Sequence, residues 1–366
     1  MSPKTKRNFQ RILPFGLIWL IFGLAFLYSE YAATDKFTYK PEGAISPTWE
    51  IFLVAVPAVF TVGMIIGTLE VFVMNKLLSR KSFKGKLLSK LTIYALLMFV
   101  IITITYPIVA SMQLNTSISD ADVWDMYLSF LSSTTSRSTA LQMGISLFAS
   151  LFYFEISENI GSNIMYNFFT GKYHKPRQEQ RIFMFLDMKS STPIAEILGH
   201  VAYFDLLRDY YNNLTDAIIK NHGEIYQYIG DEVVISWKVN GPETNANCIK
   251  CYFDMKDALQ KKSQTFMNRY DVIPDFKAGI HIGDVTVGEV GALKKEISFS
   301  GDVLNTTSRI QGLCNVLKQD LLISQELLDN IALDAGYEVS NLGPQSLRGK
   351  ENEMTLLAIK KLDLAQ

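Results

Sequence analysis

The chain has 366 residues, 35 Lys and Arg against 36 Asp and Glu, a net charge of -1, and 48% hydrophobic residues. Near-neutrality removes the broad basic surface that nucleic-acid binding requires, and three cysteines are too few for a disulfide-stapled scaffold. A length of 366 residues allows about two domains, and the apolar residues are concentrated in the first.

Three apolar runs, Ile12 to Tyr28, Trp49 to Met74 and Leu91 to Met112, are long enough to cross a bilayer, which takes about 20 residues of helix. A fourth begins near Leu141 but meets Glu155 and Glu158, so it is expected to start near Ser138 and to carry those acids at headgroup level. Basic residues precede the first run (Lys4, Lys6, Arg7, Arg11), fill the second connection (Lys76, Arg80, Lys81, Lys84, Lys86, Lys90) and follow the fourth run (Lys172, Lys175, Arg177). The other connections carry Asp35, Glu42, Asp120, Asp122 and Asp125. This charge bias predicts four transmembrane helices with both termini cytoplasmic, in the inner (plasma) membrane. A cleavable signal peptide is the competing reading of the N-terminus; Tyr28-Ser29-Glu30 offers no small-x-small site, though Ala32-Ala33 leaves room for one. The expected organisation is a four-helix transmembrane domain over 1–170, a cytoplasmic linker over 171–180, and a soluble domain over 181–366. Through Gly171 the fourth helix is expected to run on as one output helix.

The soluble half alternates strands and helices. An apolar strand, 182–187, ends in Asp187. Phe204, Leu207, Tyr211, Leu214 and Ile218 then recur at helical spacing up to Asn221 and Gly223. Residues 226–237, YQYIGDEVVISW, place Asp231 at the tip of a strand hairpin. A helix is expected over 243–268, a strand over 276–282, a turn through Gly283 and Gly288, a strand near 296–299 and a helix opening at Gly301. Cys248 and Cys251 form a CxxC inside the helical stretch without a second pair or a paired His, so they read as buried small side chains rather than metal ligands. Two strand-end carboxylates, Asp187 and Asp231, are what a Mg²⁺-dependent reaction at a nucleotide phosphate needs. Taken singly, each has a plainer reading as a turn residue or helix cap.

Four segments in this order resemble the catalytic domain of the class III nucleotidyl cyclases, the adenylate and guanylate cyclases: FLDMKSST (185–192), GEIYQYIGDEVVISW (223–237), GIHIGDVTVGEVG (279–291) and FSGDVLNTTSRIQG (299–312). The resemblance spans Arg181 to about Lys360. It implies a ferredoxin-like α/β fold behind the all-α membrane domain. It further implies two Mg²⁺ or Mn²⁺ ions per active site, held by Asp187, Asp231 and the carbonyl of Met188. Ser190, Ser191 and Thr192 would face the β and γ phosphates, Asn305 would orient the ribose, and Arg309 would stabilise charge on the α-phosphate and leaving pyrophosphate. Arg348 or Lys350 would match the family's terminal phosphate-contacting lysine. The family builds its site from two chains, and this chain has one full set, implying a homodimer with two equivalent sites.

The base-selecting positions depart from the family pattern: Gln227 and Ser298 stand where mammalian-type adenylate cyclases have Lys and Asp. An amide or a hydroxyl can donate or accept, so adenine and guanine both remain open. ATP is the expected substrate and cyclic AMP the expected product, in intracellular signalling at the membrane. GTP is the alternative, as is a catalytically silent membrane sensor. A diguanylate cyclase, whose GGDEF signature IGDE resembles, is disfavoured by the GDVLNTTSR helix.

Overall fold

The computed structural model describes residues 2–36, 49–74, 77–78, 83–161, 165, 167, 170–293 and 295–362. Two compact units divide near residue 165.

In the first unit, four helices are long and apolar enough to cross a membrane: Pro3–Ser29, Phe52–Met74, Leu88–Leu114 and Thr134–Ile160. They belong to α1 (Pro3–Lys36), α2 (Trp49–Leu69, continuing as a π-helical turn through Met74), α3 (Phe83–Leu114) and α5 (Thr134–Ile160). A shorter α4 (Ala121–Ser132) precedes the last, with Asp120 capping its first turn through Asp122 N. The basic residues Lys76, Arg80 and Lys81 and the acidic Glu42, on which the expected topology partly rests, lie outside the described residues. Glycines allow α1 and α2 to approach closely: a Cβ on Gly63 would fall 2.7 Å from the Phe15 carbonyl. Leu96, Leu141 and Phe148 point outward, each 66% exposed, as side chains facing lipid do.

Charges gather inside this bundle. Glu70 lies fully buried on the π-helical turn and receives the Tyr94 hydroxyl at 2.6 Å and the Lys90 ammonium at 2.5 Å. Lys90 also reaches Glu155 at 2.7 Å, and Arg11 reaches Glu158 at 2.6 Å. The ring of Phe154 lies between the two cations, 5.5 Å from Arg11 and 5.9 Å from Lys90. Both acids of α5 are therefore ion-paired. The last helix begins at Thr134, earlier than Ser138, and ends at Ile160 because Gly161 turns out of helical geometry at φ 96°. An unbroken helix to Gly171 is thereby excluded.

The second unit runs β1 (Arg177–Met188), α6 (Ser191–Lys220), β2 (Glu224–Ile229), β3 (Glu232–Lys238), α7 (Pro242–Asn245), α8 (Asn247–Lys261), α9 (Ser263–Tyr270), β4 (Phe276–Val290), β5 (Glu296–Ser300), α10 (Asp302–Gly312), β6 (Leu321–Ser324), α11 (Gln325–Leu328), β7 (Tyr337–Gln345) and β8 (Met354–Lys361). The strands form one mixed sheet in the order β2-β3-β1-β4-β6-β8-β7, with β5 on the outer half of β4. Only β4 and β6 pair in parallel. Along β1, Ile182, Met184, Leu186 and Met188 enter the core beneath α6 and α8, while Phe183 and Phe185 enter the core beneath α10. Both faces are covered, so the strand reads as one continuous apolar run.

Several expectations change. Gly283 and Gly288 do not turn the chain; β4 continues through both to Val290. A Cβ on Gly279 would meet the backbone N of Gln311 at 2.4 Å, and one on Gly283 would meet Val303 at 3.1 Å, so these glycines let α10 lie flat against the strand. The single helix expected over 243–268 is three pieces. Phe204 is 68% exposed, and Leu206 and Tyr210 are buried in its place. Gly199 adopts φ 73° within α6 and kinks the helix ahead of all three. Cys248, Cys251 and Cys314 are buried free thiols. Tyr173, ahead of β1, is already part of the fold: its hydroxyl donates to Glu179 at 2.9 Å and its carbonyl accepts from Glu289 N.

Candidate active site

Asp187 and Asp231 meet because β1 and β3 are paired neighbours. The register sets Asp187 opposite Glu232 on β3 and opposite Lys277 on β4, at the end of the sheet where the 230–231 turn lies. Of the two turn residues only Gly230 has positive φ, at 62°, the position where a tight hairpin turn favours glycine. Tyr211 secures this turn from α6, its hydroxyl 2.9 Å from the Gly230 carbonyl and 3.3 Å from that of Glu232.

The electrostatics are those of closely spaced like charges. Burial, reinforced by the charge of Asp231, raises the Asp187 pKa above its ordinary value, with Lys277 opposing. Glu232 is raised to about 7 by burial, then by the charges of Asp187 and Asp231. One oxygen of Asp231, Oδ2, is buried without a hydrogen-bond partner. An orphaned carboxylate oxygen beside a second, half-buried carboxylate is a donor set that suits a hard divalent cation. Among the described residues no three His, Cys, Asp or Glu side chains gather as a metal cage. Two carboxylates and backbone oxygens, such as that of Met188 at the end of β1, are what the chain offers.

Immediately after Met188 the chain turns sharply. Ser190 takes left-handed geometry (φ 55°, ψ 31°) and α6 begins at Ser191, so the first-turn N-H groups of Ser191 and Thr192 open toward this end of the sheet.

Sequence reasoning missed two further neighbours of Asp187. The Lys277 ammonium lies 3.3 Å from Asp187 Oδ2, and Gln311 Nε2 donates to that oxygen at 3.2 Å. Lys277 reaches it through strand register and Gln311 through the close seating of α10, and neither leaves a short-range signature in the sequence.

Asn305 and Arg309 are one turn apart on α10, Asn305 exposed and Arg309 half-buried. Successive helical residues are offset by about 100°, so these two lie within about 40° of each other, and Arg309 is about 160° from Gln311, which faces Asp187. Within one chain, the Asn/Arg stripe and the carboxylate pair therefore look in different directions. The loop bearing Arg348 and Lys350 docks on α10. Lys350 forms a 2.7 Å ion pair with Asp302, which holds that carboxyl below the usual range, while the Arg309 guanidinium rests against Gly349. Arg348 is exposed. Gln227 is exposed on β2, and Ser298 is half-buried on β5 with its Oγ 3.4 Å from the Tyr226 hydroxyl.

The family described as adenylate and guanylate cyclase catalytic domain matches residues 173–360. Adenylate cyclase 2 of Rhizobium meliloti (strain 1021) is 30% identical over 209 residues, covering 57% of this chain and 58% of that protein. Human retinal guanylyl cyclase 2 is 31% identical over 185 residues, covering 48% of this chain and 16% of that one. The chain thus spans less than two thirds of either relative. A bacterial light-regulated adenylyl cyclase structure shares the fold at TM-score 0.51 and 20% identity, over 60% of this chain and 65% of that chain. With the family match covering just over half its length, and with its strands and glycines arranged as described, the chain belongs to the class III adenylate and guanylate cyclases.

Proposed function

We propose that the protein is a membrane-anchored adenylate cyclase that converts ATP to 3',5'-cyclic AMP and pyrophosphate in intracellular signalling. The observation that carries the reading is the pair of half-buried carboxylates, Asp187 and Asp231, with one buried Asp231 oxygen unpartnered. Asp187, Asp231 and the Met188 carbonyl would hold two Mg²⁺ or Mn²⁺ ions per site. When bound, those ions supply Lewis acidity to the ribose 3'-hydroxyl and neutralise the triphosphate.

The remaining work falls to side chains and backbone. The N-H groups of Ser191 and Thr192, following the Ser190 turn, donate to the β and γ phosphates. Asn305 orients the ribose, and Arg309 stabilises charge on the α-phosphate and leaving pyrophosphate. Lys350 is the better placed of the two basic residues after β7 to take terminal phosphate oxygens, since the ion pair with Asp302 fixes it beside α10; Arg348 flanks it. Gln227 and Ser298 read the base.

Because the Asn/Arg stripe and the carboxylate pair face apart, one complete site requires two chains, and a homodimer closes two such sites. Exposed apolar side chains on α6 (Ile197, Val201, Phe204) and on β2 (Tyr228, Ile229) favour a second copy as the partner. Four apolar helices anchor the assembly in a bilayer, with the catalytic unit and both termini in the cytoplasm of the cell's plasma (inner) membrane. GTP is the one competing substrate, because the Gln227 amide and Ser298 hydroxyl suit either base.

Membranes containing the full chain, supplied with ATP or GTP and Mn²⁺, should form cyclic AMP in preference to cyclic GMP. Absence of either cyclic nucleotide under those conditions would refute the enzymatic reading.

A further inference from the structure

A serine hydroxyl can point its proton in any direction, so Ser298 by itself does not discriminate between bases. We propose that Tyr226 is a positioning residue for base selection: it fixes the Ser298 hydroxyl from a bulge in β2. This inference rests on the reading of Ser298 as a base contact.

The bulge is visible in the register. Ile225 pairs with Ile235 and Gln227 with Val234, so Tyr226 is the extra residue in β2. A bulge at this point re-aims one side chain without moving the ladder on either side. Gln227 stays in register on β2, while Tyr226 turns into the core between the sheet and α10, among Phe183, Phe185 and Val303. There its ring meets Phe299 edge-on, centroids 4.8 Å apart at 75°.

Phe299 is itself held from two other sides. Phe183 packs against it edge-on at 5.6 Å, and the Arg181 guanidinium lies 4.7 Å above its ring. Arg181 is buried and bonded to Glu179, Glu224 and Ser236, so this frame does not give easily. Tyr226 is thereby a rigid arm from β2 to β5.

Its hydroxyl makes two contacts there. Oη accepts the Phe299 N-H at 3.4 Å and lies 3.4 Å from Ser298 Oγ. Accepting the Phe299 N-H leaves the tyrosine hydroxyl able either to donate to Ser298 Oγ or to accept from it. In either arrangement one hydrogen-bonding direction of Ser298 is taken up by Tyr226, which sets the directions left for a base. Opposite Ser298 on β4 stands Gly288, which has no side chain to compete for the hydroxyl. Both base-reading positions are therefore set by consecutive residues of β2: Gln227 directly and Ser298 through Tyr226.

The test is a four-protein comparison in the full chain: wild type, Tyr226→Phe, Ser298→Ala and the double variant. For each, kcat/KM is measured with ATP and with GTP, and equilibrium binding with non-cyclisable analogues of both. Tyr226→Phe keeps the ring and its packing and removes only the oxygen. Loss of one neutral hydrogen bond corresponds to roughly a threefold to tenfold change. The ratio of the preferred to the poorer nucleotide should narrow by about threefold or more in Tyr226→Phe. In the Ser298→Ala background, Tyr226→Phe should change the ratio no further.

If Ser298→Ala shifts the ratio and Tyr226→Phe does not, the positioning role is overturned and Ser298 keeps its place as a base contact. If Ser298→Ala itself leaves the ratio unchanged, the base-contact reading falls and this inference with it. A wild type that treats ATP and GTP alike, or an equal effect of Tyr226→Phe with and without Ser298, also contradicts it. Should a variant lose turnover, the analogue-binding ratio supplies the same comparison.

Discussion

His281 offers a quantitative check on the catalytic unit. It lies on β4, buried, with Nδ1 2.7 Å from the Ser324 hydroxyl and 3.4 Å from Glu326. Burial, with help from the Lys350 charge and against that of Asp302, lowers its pKa from 6.5 to about 4. The folded protein therefore keeps His281 neutral where the unfolded chain would protonate it. The stability this neutral histidine provides is complete above pH 6.5, falls as the pH drops, and levels off below about 4. Between pH 7.5 and 4.5 these two values give a loss of about 2–3 kcal/mol, at 1.36 kcal/mol per unit. Glu232, raised to about 7, acts with the opposite sign: its stabilising contribution is present below its unfolded value and lost as the pH rises through 7. The quantity to measure is accordingly the difference between wild type and His281→Asn, in which the Glu232 contribution cancels. Trp237 is buried and is the only one of four tryptophans beyond residue 170, so urea unfolding of residues 171–366 can be followed by its fluorescence. The start at 171 retains Tyr173. Metal-free wild type should lose about 2–3 kcal/mol more than His281→Asn between pH 7.5 and 4.5. Equal losses in the two proteins would refute the assignment of a neutral buried histidine.

Three further outcomes follow from the site. Asp231→Asn should abolish cyclic nucleotide formation yet raise the metal-free thermal midpoint, because it removes one of two half-buried like charges; a lowered midpoint would contradict the crowding of Asp187 and Asp231. Mixing Asp187→Asn chains with Arg309→Ala chains should restore activity absent from either alone, and no recovery after verified chain exchange would sink the shared-site dimer. Gly279→Ala should destabilise the catalytic unit by about 1–3 kcal/mol, since the new Cβ would overlap the backbone of α10; an unaffected urea midpoint would mean that the helix is not seated on that glycine.

What could be read in the chain and what could not divide along a physical line. The apolar spans and the Gly-Asp turn are local patterns, since hydrophobic length and glycine at a tight turn act within a few residues. So are the alternating sides of β1, although burial on both faces disguised them as one apolar run. Gly283 misled because glycine serves equally in a turn and beneath a packed helix, and only the position of α10 separates these uses; Gly288 lies against Pro176, a contact equally invisible in the local sequence. Phe204 misled because its spacing fits the apolar stripe as well as that of Leu206 and Tyr210, and only the seating of α6 on the sheet selects the latter. Lys277, Gln311 and Tyr226 were invisible for another reason. Each touches its partner across strand register or helix seating, at sequence distances no periodicity spans.

The ion pairs inside the helical bundle bear on how the protein is made. Glu70 ends one apolar segment and Lys90 lies near the start of the next, so the pair belongs to a single helical hairpin. A helix bearing Glu70 alone would expose an uncompensated carboxylate to hydrocarbon, and one bearing Lys90 alone an uncompensated ammonium. The pair removes most of that penalty only when both segments are present, which favours release of α2 and α3 from the insertion machinery as a unit. Glu155 arrives later in synthesis and adds a second carboxylate to Lys90. Biogenesis of the anchor would then have an order written in its charges: the hairpin closes first, and the helix leading to the catalytic unit locks onto it afterwards.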